Sequence, residues 1–387
     1  MSQVSSEPKK LKRLPVPART QTLAGAVVLL LAAVVVGCNG SAAPAGGSAT
    51  EYTETAKAVG ATTPAKELTG AGATFPYPLY SKWFDVYNQK TGVKINYQSV
   101  GSGAGIQQLI QGTVDFGASD APMTDEQLKA APREVLHIPT VMGAVVVTYN
   151  VPGLDRGLKL TQEALSDIYL GRVKGWNDPK IALENPGAKL PEADIVVVHR
   201  SDGSGTTNIF TDYLSSVSTE WRSKVGKGTS VNWPVGLGAK GNEGVAGEVK
   251  QVVGAVGYAE LAYAIQNKLP YAYVRNQAGQ FVEPSLDSTT EAAARAASNM
   301  PEDLRVSIVN APGEKSYPIA GYTYILVYRD QQDEAKGRAL VDLLGWCIRA
   351  GQQYAKDLLY APLPEDVVAR AESKIKSMSS HGLPLYR

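Results

Sequence analysis

Three short turns rich in glycine, serine and threonine each precede a segment with a helical pattern. Their sequences are Gly72-Ala73-Thr74-Phe75-Pro76, Gly101-Ser102-Gly103-Ala104-Gly105 and Asp202-Gly203-Ser204-Gly205-Thr206-Thr207. The N-terminus of a helix carries unpaired N–H donors and about half a positive charge, glycine admits a ligand close to the backbone, and hydroxyls add further donors. One such turn is weak evidence, but the three together predict a binding site for an oxyanion.

One permanent positive charge stands at the third turn. Arg200 follows the β-rich run 195–199 and precedes Asp202 by two residues. A guanidinium group offers a fork of donors that matches the oxygens of an oxyanion, and Asp202 would hold that fork in place. A surface Arg–Asp pair on a loop is the competing interpretation, and the sequence leaves both open.

The capping pattern that follows Asp120 does not use the carboxylate of Asp120. Thr124 and Gln127 form a capping box for a helix that begins at Asp125, so Asp120 is not needed as a helix cap. A carboxylate repels an oxyanion unless the oxyanion donates a proton to it. Phosphate at neutral pH carries such a proton and sulfate does not. Asp120 therefore favours phosphate over sulfate, molybdate and other fully deprotonated oxyanions.

The sequence lacks the patterns of metal, cofactor and nucleotide sites. Its histidines are far apart, at His137, His199 and His381, and Cys347 lies in an apolar helical pattern that is typical of a core thiol. We therefore predict no metal site, no disulfide and no cofactor. The one Gly-x-Gly-x-x-Gly run, at 236–241, is not preceded by a convincing strand, which disfavours a nucleotide fold.

Enzymatic activity at the third turn is also disfavoured. Ser204 would need a base within hydrogen-bond reach to act as a nucleophile. The candidate base, His199, lies five positions away on a strand end where side-chain alternation directs it away from Arg200. We therefore predict a binding protein that is not an enzyme. A scaffold or adhesion protein is a further alternative, but it would leave the anion-binding groups without a purpose.

The N-terminus has the layout of a bacterial export signal. Basic residues precede an uncharged apolar run at 23–36, which is short for a membrane span. The following Val35-Val36-Gly37-Cys38 resembles the lipobox, at which cleavage leaves an acylated cysteine. We predict a signal peptide at 1–37, palmitate on Cys38, and an anchor in the cell membrane that faces the extracytoplasmic side. An uncleaved anchor helix is the alternative, and it also places the folded part outside.

The segment after the signal has the composition of a linker. Residues 38–65 are dominated by Ala, Gly, Ser, Thr and Pro, which predicts a flexible tether. Residues 1–37 hold five of the 38 basic and one of the 37 acidic residues, so the remainder has 33 basic and 36 acidic residues and a formal charge of −3. No basic run remains, and we expect no nucleic-acid partner.

The folded part alternates strand-like and helix-like patterns, which predicts an α/β fold. Strand-like runs stand at 93–100, 114–118, 144–149, 195–199, 255–258 and 322–328. Helix-like runs stand at 77–89, 107–111, 333–351 and 365–377. A chain of 387 residues with 44% hydrophobic content is too long for one small core, so two lobes are expected.

From residue 66 to 387 the chain resembles the PstS family, the phosphate-binding components of phosphate-specific ABC transporters. The resemblance is carried by Leu68-Thr69-Gly70-Ala71-Gly72-Ala73-Thr74-Phe75-Pro76 and by 114–120, 167–171, 200–206, 232–238, 257–260 and 383–386. It implies a type II periplasmic binding protein with two doubly wound lobes, a central cleft and a two-strand hinge. The first lobe would comprise 66–141 and 315–387, and the second 142–314.

The resemblance also implies a role for each residue of the site. The implied phosphate ligands are Thr74, Phe75, Ser102, Asp120, Arg200, Ser204, Gly205 and Thr206. Among them, Asp120 would accept the proton of phosphate, and Arg200, oriented by Asp202, would supply the charged donor. Thr74 and Ser102 would add hydroxyls to their backbone N–H groups.

These implications describe a solute-binding lipoprotein that captures inorganic phosphate and closes its lobes around it. It would deliver the phosphate to the permease subunits and ATPase of an ABC importer. We expect it to act as a monomer, without covalent chemistry.

Overall fold

Residues 63–296 and 300–386 are described by the structure, a computed structural model. The predicted signal peptide at 1–37, the predicted lipidation site Cys38 and nearly all of the predicted tether lie outside these residues. Among the described helices, none combines the length and the apolar composition that a bilayer crossing requires.

Strands and helices alternate along the described chain, which confirms the predicted α/β class. The strands are β1 (Glu67–Gly72), β2 (Lys94–Ser99), β3 (Phe116–Ser119), β4 (Val135–Tyr149), β5 (Lys159–Leu160), β6 (Val196–Arg200), β7 (Leu237–Ala239), β8 (Ala255–Glu260), β9 (Tyr273–Arg275), β10 (Phe281–Val282), β11 (Ala320–Tyr328), β12 (Asp330–Gln331), β13 (Ser379–Ser380) and β14 (Leu383–Pro384). The helices are α1 (Tyr77–Thr91), α2 (Ser102–Ile110), α3 (Asp125–Ala130), α4 (Gln162–Tyr169), α5 (Pro179–Ala182), α6 (Gly205–Val217), α7 (Thr219–Lys224), α8 (Gly241–Gln251), α9 (Leu261–Gln266), α10 (Leu286–Ala296), α11 (Glu334–Ile348) and α12 (Glu365–Lys376).

A mixed sheet of eight strands forms the centre of the fold, in the order β2-β1-β3-β11-β4-β8-β6-β7. At one end β1 pairs in parallel with β2 and β3, and at the other end β6 pairs in parallel with β7 and β8. Between these groups β4 and β11 pair antiparallel with each other, β11 continues to β3, and β4 continues to β8. Two long strands therefore connect two parallel groups, as the predicted fold class requires.

The strand β4 is longer than the sequence pattern predicts. All fifteen of its residues are buried, because sheet neighbours and helices cover it on both faces. The predicted strand 144–149 misses its first part, since Pro139 cannot donate to a sheet ladder. The register of β4 against β11 shifts between Thr323 and Tyr324, opposite Pro139. This irregularity lets the strand continue through the proline.

Two helix starts explain how the turns are positioned. The capping box before α3 is confirmed, because Thr124 Oγ1 accepts from the Gln127 N–H at 3.2 Å and Gln127 Oε1 accepts from the Thr124 N–H at 2.9 Å. The helix predicted at 107–111 begins earlier, at Ser102. A Cβ on Gly105 would lie 2.5 Å from the Ala71 carbonyl oxygen, so this glycine lets α2 pack directly on β1.

Candidate functional site

The three turns predicted from sequence meet at the carboxyl ends of the parallel strands. Thr74 follows β1, Ser102 begins the helix after β2, and Asp120 follows β3. From the other group, Arg200 is the last residue of β6 and Ser204 caps α6. In open α/β sheets, ligands bind outside this edge of the sheet.

The turns of the two strand groups touch each other directly. The Gly205 N–H donates to Ser102 Oγ at 3.0 Å, and the Gly103 N–H donates to the Gly203 carbonyl at 2.9 Å. Gly101 has φ +97°, and a Cβ there would lie 2.4 Å from an oxygen of Asp202. The glycines of the turn before α2 are therefore required for this close approach.

Arg200 and Asp202 form a buried pair. Arg200 Nε donates to Asp202 Oδ1 at 2.7 Å and Nη2 donates to Oδ2 at 2.5 Å, while the two side chains are 1% and 13% exposed. Burial alone would raise the pKa of Asp202, but the hydrogen bonds and charge of Arg200, with the Gly241 N–H, hold it below its ordinary value. The burial excludes a solvent-exposed pair, the competing interpretation of these residues.

Asp120 lies buried between the two groups. Its Oδ1 accepts from Thr323 Oγ1 at 2.8 Å, and Thr206 Oγ1 lies 3.5 Å from its Oδ2. Burial raises the pKa of Asp120 to about 7, although the hydrogen bonds of Thr323 and Thr206 and the charge of Arg200 oppose this rise. The carboxyl group is thus poised to share a proton near neutral pH.

Thr74 and Phe75 are held through their carbonyl groups. The Tyr263 hydroxyl donates to the Thr74 carbonyl at 2.5 Å, and the Tyr360 hydroxyl lies 2.7 Å from the Phe75 carbonyl. These contacts fix the turn between β1 and α1, which carries the predicted N–H donors. Phe75 is completely buried, so its ring anchors the turn in the core.

Sequence analysis missed Asn242, which is completely buried within the site. The sequence shows no convincing strand before the run 236–241, yet β7 lies inside the run and α8 begins at its last glycine. A glycine followed by a helical pattern was the available signal. Asn242 thus belongs to a fourth strand-to-helix turn that converges on the site.

The charges of the site are nearly balanced before any ligand is added. The Arg200 charge is paired with Asp202, and Asp120 adds a carboxyl group. An anion here would be held largely by neutral N–H and O–H donors and by helix ends rather than by net positive charge. A cavity of about 560 Å³ reaches Asp120 and is lined also by Asn208 and Arg305.

The geometry also bears on the alternative of a serine nucleophile. Ser204 Oγ accepts from the Thr207 N–H at 3.0 Å and so caps α6. The ring of His199 stacks on Trp233 with centroids 4.8 Å apart, and its Nδ1 lies 3.0 Å from the Arg200 carbonyl. His199 is therefore committed to Trp233 and to the backbone, which is not the position of a base for Ser204.

Comparisons with known proteins agree with this architecture. The profile of the PBP superfamily domain matches residues 52–346. The phosphate-binding protein PstS of Pasteurella multocida (strain Pm70) is 47% identical over 329 residues, which cover 84% of this chain and 95% of that protein. The phosphate-binding protein PstS of Haemophilus influenzae (strain KW20/Rd) is 46% identical over 314 residues, which cover 81% and 93%.

A solved structure is similar in fold. It is described as the substrate-binding protein of a phosphate ABC transporter from Clostridium perfringens, with bound phosphate. The TM-score is 0.56 at 17% sequence identity, and the match covers 77% of this chain and 100% of that chain.

Proposed function

This chain belongs to the PstS family of phosphate-binding proteins, and from that premise we propose that it captures inorganic phosphate and passes it to an ABC importer. It binds phosphate without changing it chemically, so it is not an enzyme. The observation that carries the proposal is the buried carboxyl group of Asp120, which stands between the hydroxyls of Thr206 and Thr323. Such a site suits an oxyanion that still carries a proton.

The ligand set that we propose combines donors from both strand groups. It consists of Thr74, Phe75, Ser102, Asp120, Arg200, Ser204, Gly205 and Thr206. The N-termini of α2 and α6 supply backbone N–H groups, and Arg200 supplies the charged fork while Asp202 orients it. The direct contacts between these turns support a shared site.

We further propose two lobes that close on the ligand. The first comprises 66–141 and 315–387, and the second 142–314, with β4 and β11 as the crossing strands. The hydrogen bond from the Gly205 N–H to Ser102 Oγ would link the lobes in the closed form. Phosphate that contacts both lobes shifts the population toward closure, and the importer, with its permease subunits and ATPase, would receive the closed monomer.

Calorimetric titration of the ligand-stripped protein tests the proposed function. We expect phosphate to bind with a dissociation constant in the micromolar range or below, and sulfate to bind at least about 100-fold more weakly, a difference of about 2.7 kcal/mol. Arsenate, which also carries a proton at neutral pH, serves as a positive control for the proton requirement. A folded protein that ignores phosphate, or that binds sulfate equally well, would contradict the proposal.

The membrane attachment is a separate part of the proposal. The signal peptide 1–37 would be removed, Cys38 would carry palmitate, and the tether 38–65 would hold the folded part on the extracytoplasmic side. We expect Cys38→Ser to abolish incorporation of labelled palmitate and to move the protein out of the membrane fraction, since the acyl chains supply the anchoring. Unchanged membrane recovery without label in the Cys38→Ser protein would instead indicate an uncleaved anchor helix.

A further inference from the structure

The buried side chain of Asn242 connects two hydroxyls of the proposed phosphate site. Asn242 stands in the first turn of α8, and both its backbone N–H and its Nδ2 donate to Thr74 Oγ1, at 3.1 and 2.7 Å. Nδ2 also donates to Thr206 Oγ1 at 3.1 Å. Thr74 follows β1 and Thr206 lies in α6, so one amide group joins residues of the two strand groups.

The orientation of this amide is determined by a neighbouring donor. Asn242 Oδ1 accepts from the Glu260 N–H at 2.9 Å. A flipped amide would place Nδ2 against that N–H, donor against donor, in a completely buried position. The nitrogen of Asn242 therefore faces the two threonines.

The contacts of Asn242 decide what the two hydroxyls can do. A hydroxyl group has one proton to donate and two lone pairs that accept. Both lone pairs of Thr74 Oγ1 are occupied by donors of Asn242. Thr206 Oγ1 likewise receives Asn242 Nδ2 and, at 3.5 Å, Arg200 Nη1. Each hydroxyl is left with only its proton to offer. The proton of Thr206 points to Asp120 Oδ2 at 3.5 Å in the structure, and it would turn to the phosphate when phosphate binds.

We propose that Asn242 is a positioning residue that commits the Thr74 and Thr206 hydroxyls to donate their protons to bound phosphate. This inference rests on the proposed function and deepens it. Because both hydroxyls can only donate, the phosphate oxygens that they meet must be unprotonated. The single proton of HPO₄²⁻ is thereby directed toward Asp120, so that Asn242 contributes to the orientation and the selectivity of binding.

The same contacts give Asn242 a second effect, on release. In the proposed lobes, Thr74 belongs to the first lobe, and Thr206 and Asn242 belong to the second. The hydrogen bonds from Asn242 to Thr74 can form only when the lobes are in contact. Loss of the amide therefore removes a link of the closed form, and we expect the dissociation rate of phosphate to rise more than the association rate falls.

A double-mutant cycle with full-length protein in detergent tests the proposal. Asn242→Leu and Thr74→Val keep the branching of each side chain while removing the amide or the hydroxyl, and the double variant removes both. We expect either single change to weaken phosphate binding by at least about tenfold. If Asn242 acts through the Thr74 hydroxyl, the double variant binds at least about tenfold more tightly than the product of the two losses predicts.

A matched control separates positioning from general stability. Asn276 is another buried amide, and its Nδ2 donates to the carbonyls of Gly313 and Glu314 at 3.0 and 2.9 Å. Asn276→Leu should lower the melting temperature while the phosphate dissociation constant stays within about twofold, because these carbonyls are not among the proposed ligands.

Asn242→Asp provides a second route if Asn242→Leu does not fold. Asp keeps the shape and can still accept from the Glu260 N–H, but its second oxygen accepts where Nδ2 donated, so both threonine protons turn toward it. We expect a loss of phosphate affinity that Thr74→Val does not increase further. Additive losses in both cycles, or wild-type affinity in the Asn242 variants, would overturn the positioning role. A wild-type protein that does not bind phosphate would instead refute the proposed function.

Discussion

Replacing Asp120 with asparagine is expected to admit sulfate and to reduce the preference for phosphate over sulfate by at least about 100-fold, or about 2.7 kcal/mol. Above pH about 8, where the carboxyl group of Asp120 is ionised in the wild-type protein, a fully deprotonated oxyanion brings its lone pairs against the buried carboxylate, where water cannot screen the repulsion. The asparagine Nδ2 can donate to sulfate, and its Oδ1 can still accept the proton of phosphate. Phosphate binding should therefore persist while sulfate binding appears.

Calorimetry with phosphate, arsenate and sulfate on both proteins measures this change. Thr323→Val is the matched control, because it removes the hydroxyl that donates to Asp120 Oδ1 at 2.8 Å and leaves the carboxyl group in place. The lost hydrogen bond had lowered the pKa of Asp120, so the comparison is made well above pH 7, where Asp120 is ionised and the control should continue to exclude sulfate. Equal exclusion of sulfate by Asp120→Asn would show that shape or charge elsewhere, and not the Asp120 carboxylate, discriminates between the anions.

The same variant has a second readout in the stability of the ligand-free protein. Burial raises the pKa of Asp120 from 3.8 to about 7, so the folded state holds this proton more tightly than the unfolded state. The resulting stabilisation is fully present below pH about 4 and is lost as the pH rises to about 7, by at most about 4 kcal/mol. Urea unfolding should therefore show the free-energy difference between wild type and Asp120→Asn changing over that range and becoming constant above it.

Replacing Arg200 with methionine is expected to reduce phosphate affinity by about 1,000-fold, or about 4 kcal/mol, because it removes the one charged donor of the proposed ligand set. It should also destabilise the ligand-free protein by about 3–5 kcal/mol, since it leaves the carboxylate of Asp202 partly buried without its partner. Both effects can be measured on one preparation, by titration with phosphate and by urea unfolding.

The double variant Arg200→Met with Asp202→Asn separates the two effects. Neutralising Asp202 removes the unpaired charge, so stability should recover substantially, whereas phosphate binding should remain weak because the guanidinium is still missing. Recovery of binding together with stability would mean that Arg200 supports the fold and does not contact the ligand. In that case the proposed ligand set would have to be revised.

Much of the site could be predicted from sequence because its signals are local. A glycine-rich turn before a helix is recognisable from neighbouring residues, and the three predicted turns do begin or precede α1, α2 and α6. The argument that Asp120 is spare depends only on the capping box of Thr124 and Gln127, which the structure confirms. Local hydrogen bonding thus identified a carboxyl group whose partners are distant in the chain.

Other features depend on contacts between distant segments and could not be predicted in this way. The Arg200–Asp202 pair is buried because Gly101 and Gly103, in the turn before α2, allow that turn to pack closely against the third turn. The full length of β4 depends on the register shift against β11, since only the pairing shows how Pro139 is accommodated.

By itself the sequence determined the α/β class, the family and the residues of three turns, because these depend on short-range patterns and on similarity along the chain. Only the tertiary structure decided that Asn242, which directly follows the glycine-rich run 236–241, lies within hydrogen-bond distance of Thr74 and Thr206. Whether a hydroxyl donates or accepts a hydrogen bond depends on which donors surround it in space. No periodicity or motif in the sequence predicts how these donors are arranged, because the arrangement forms only when the two strand groups pack together.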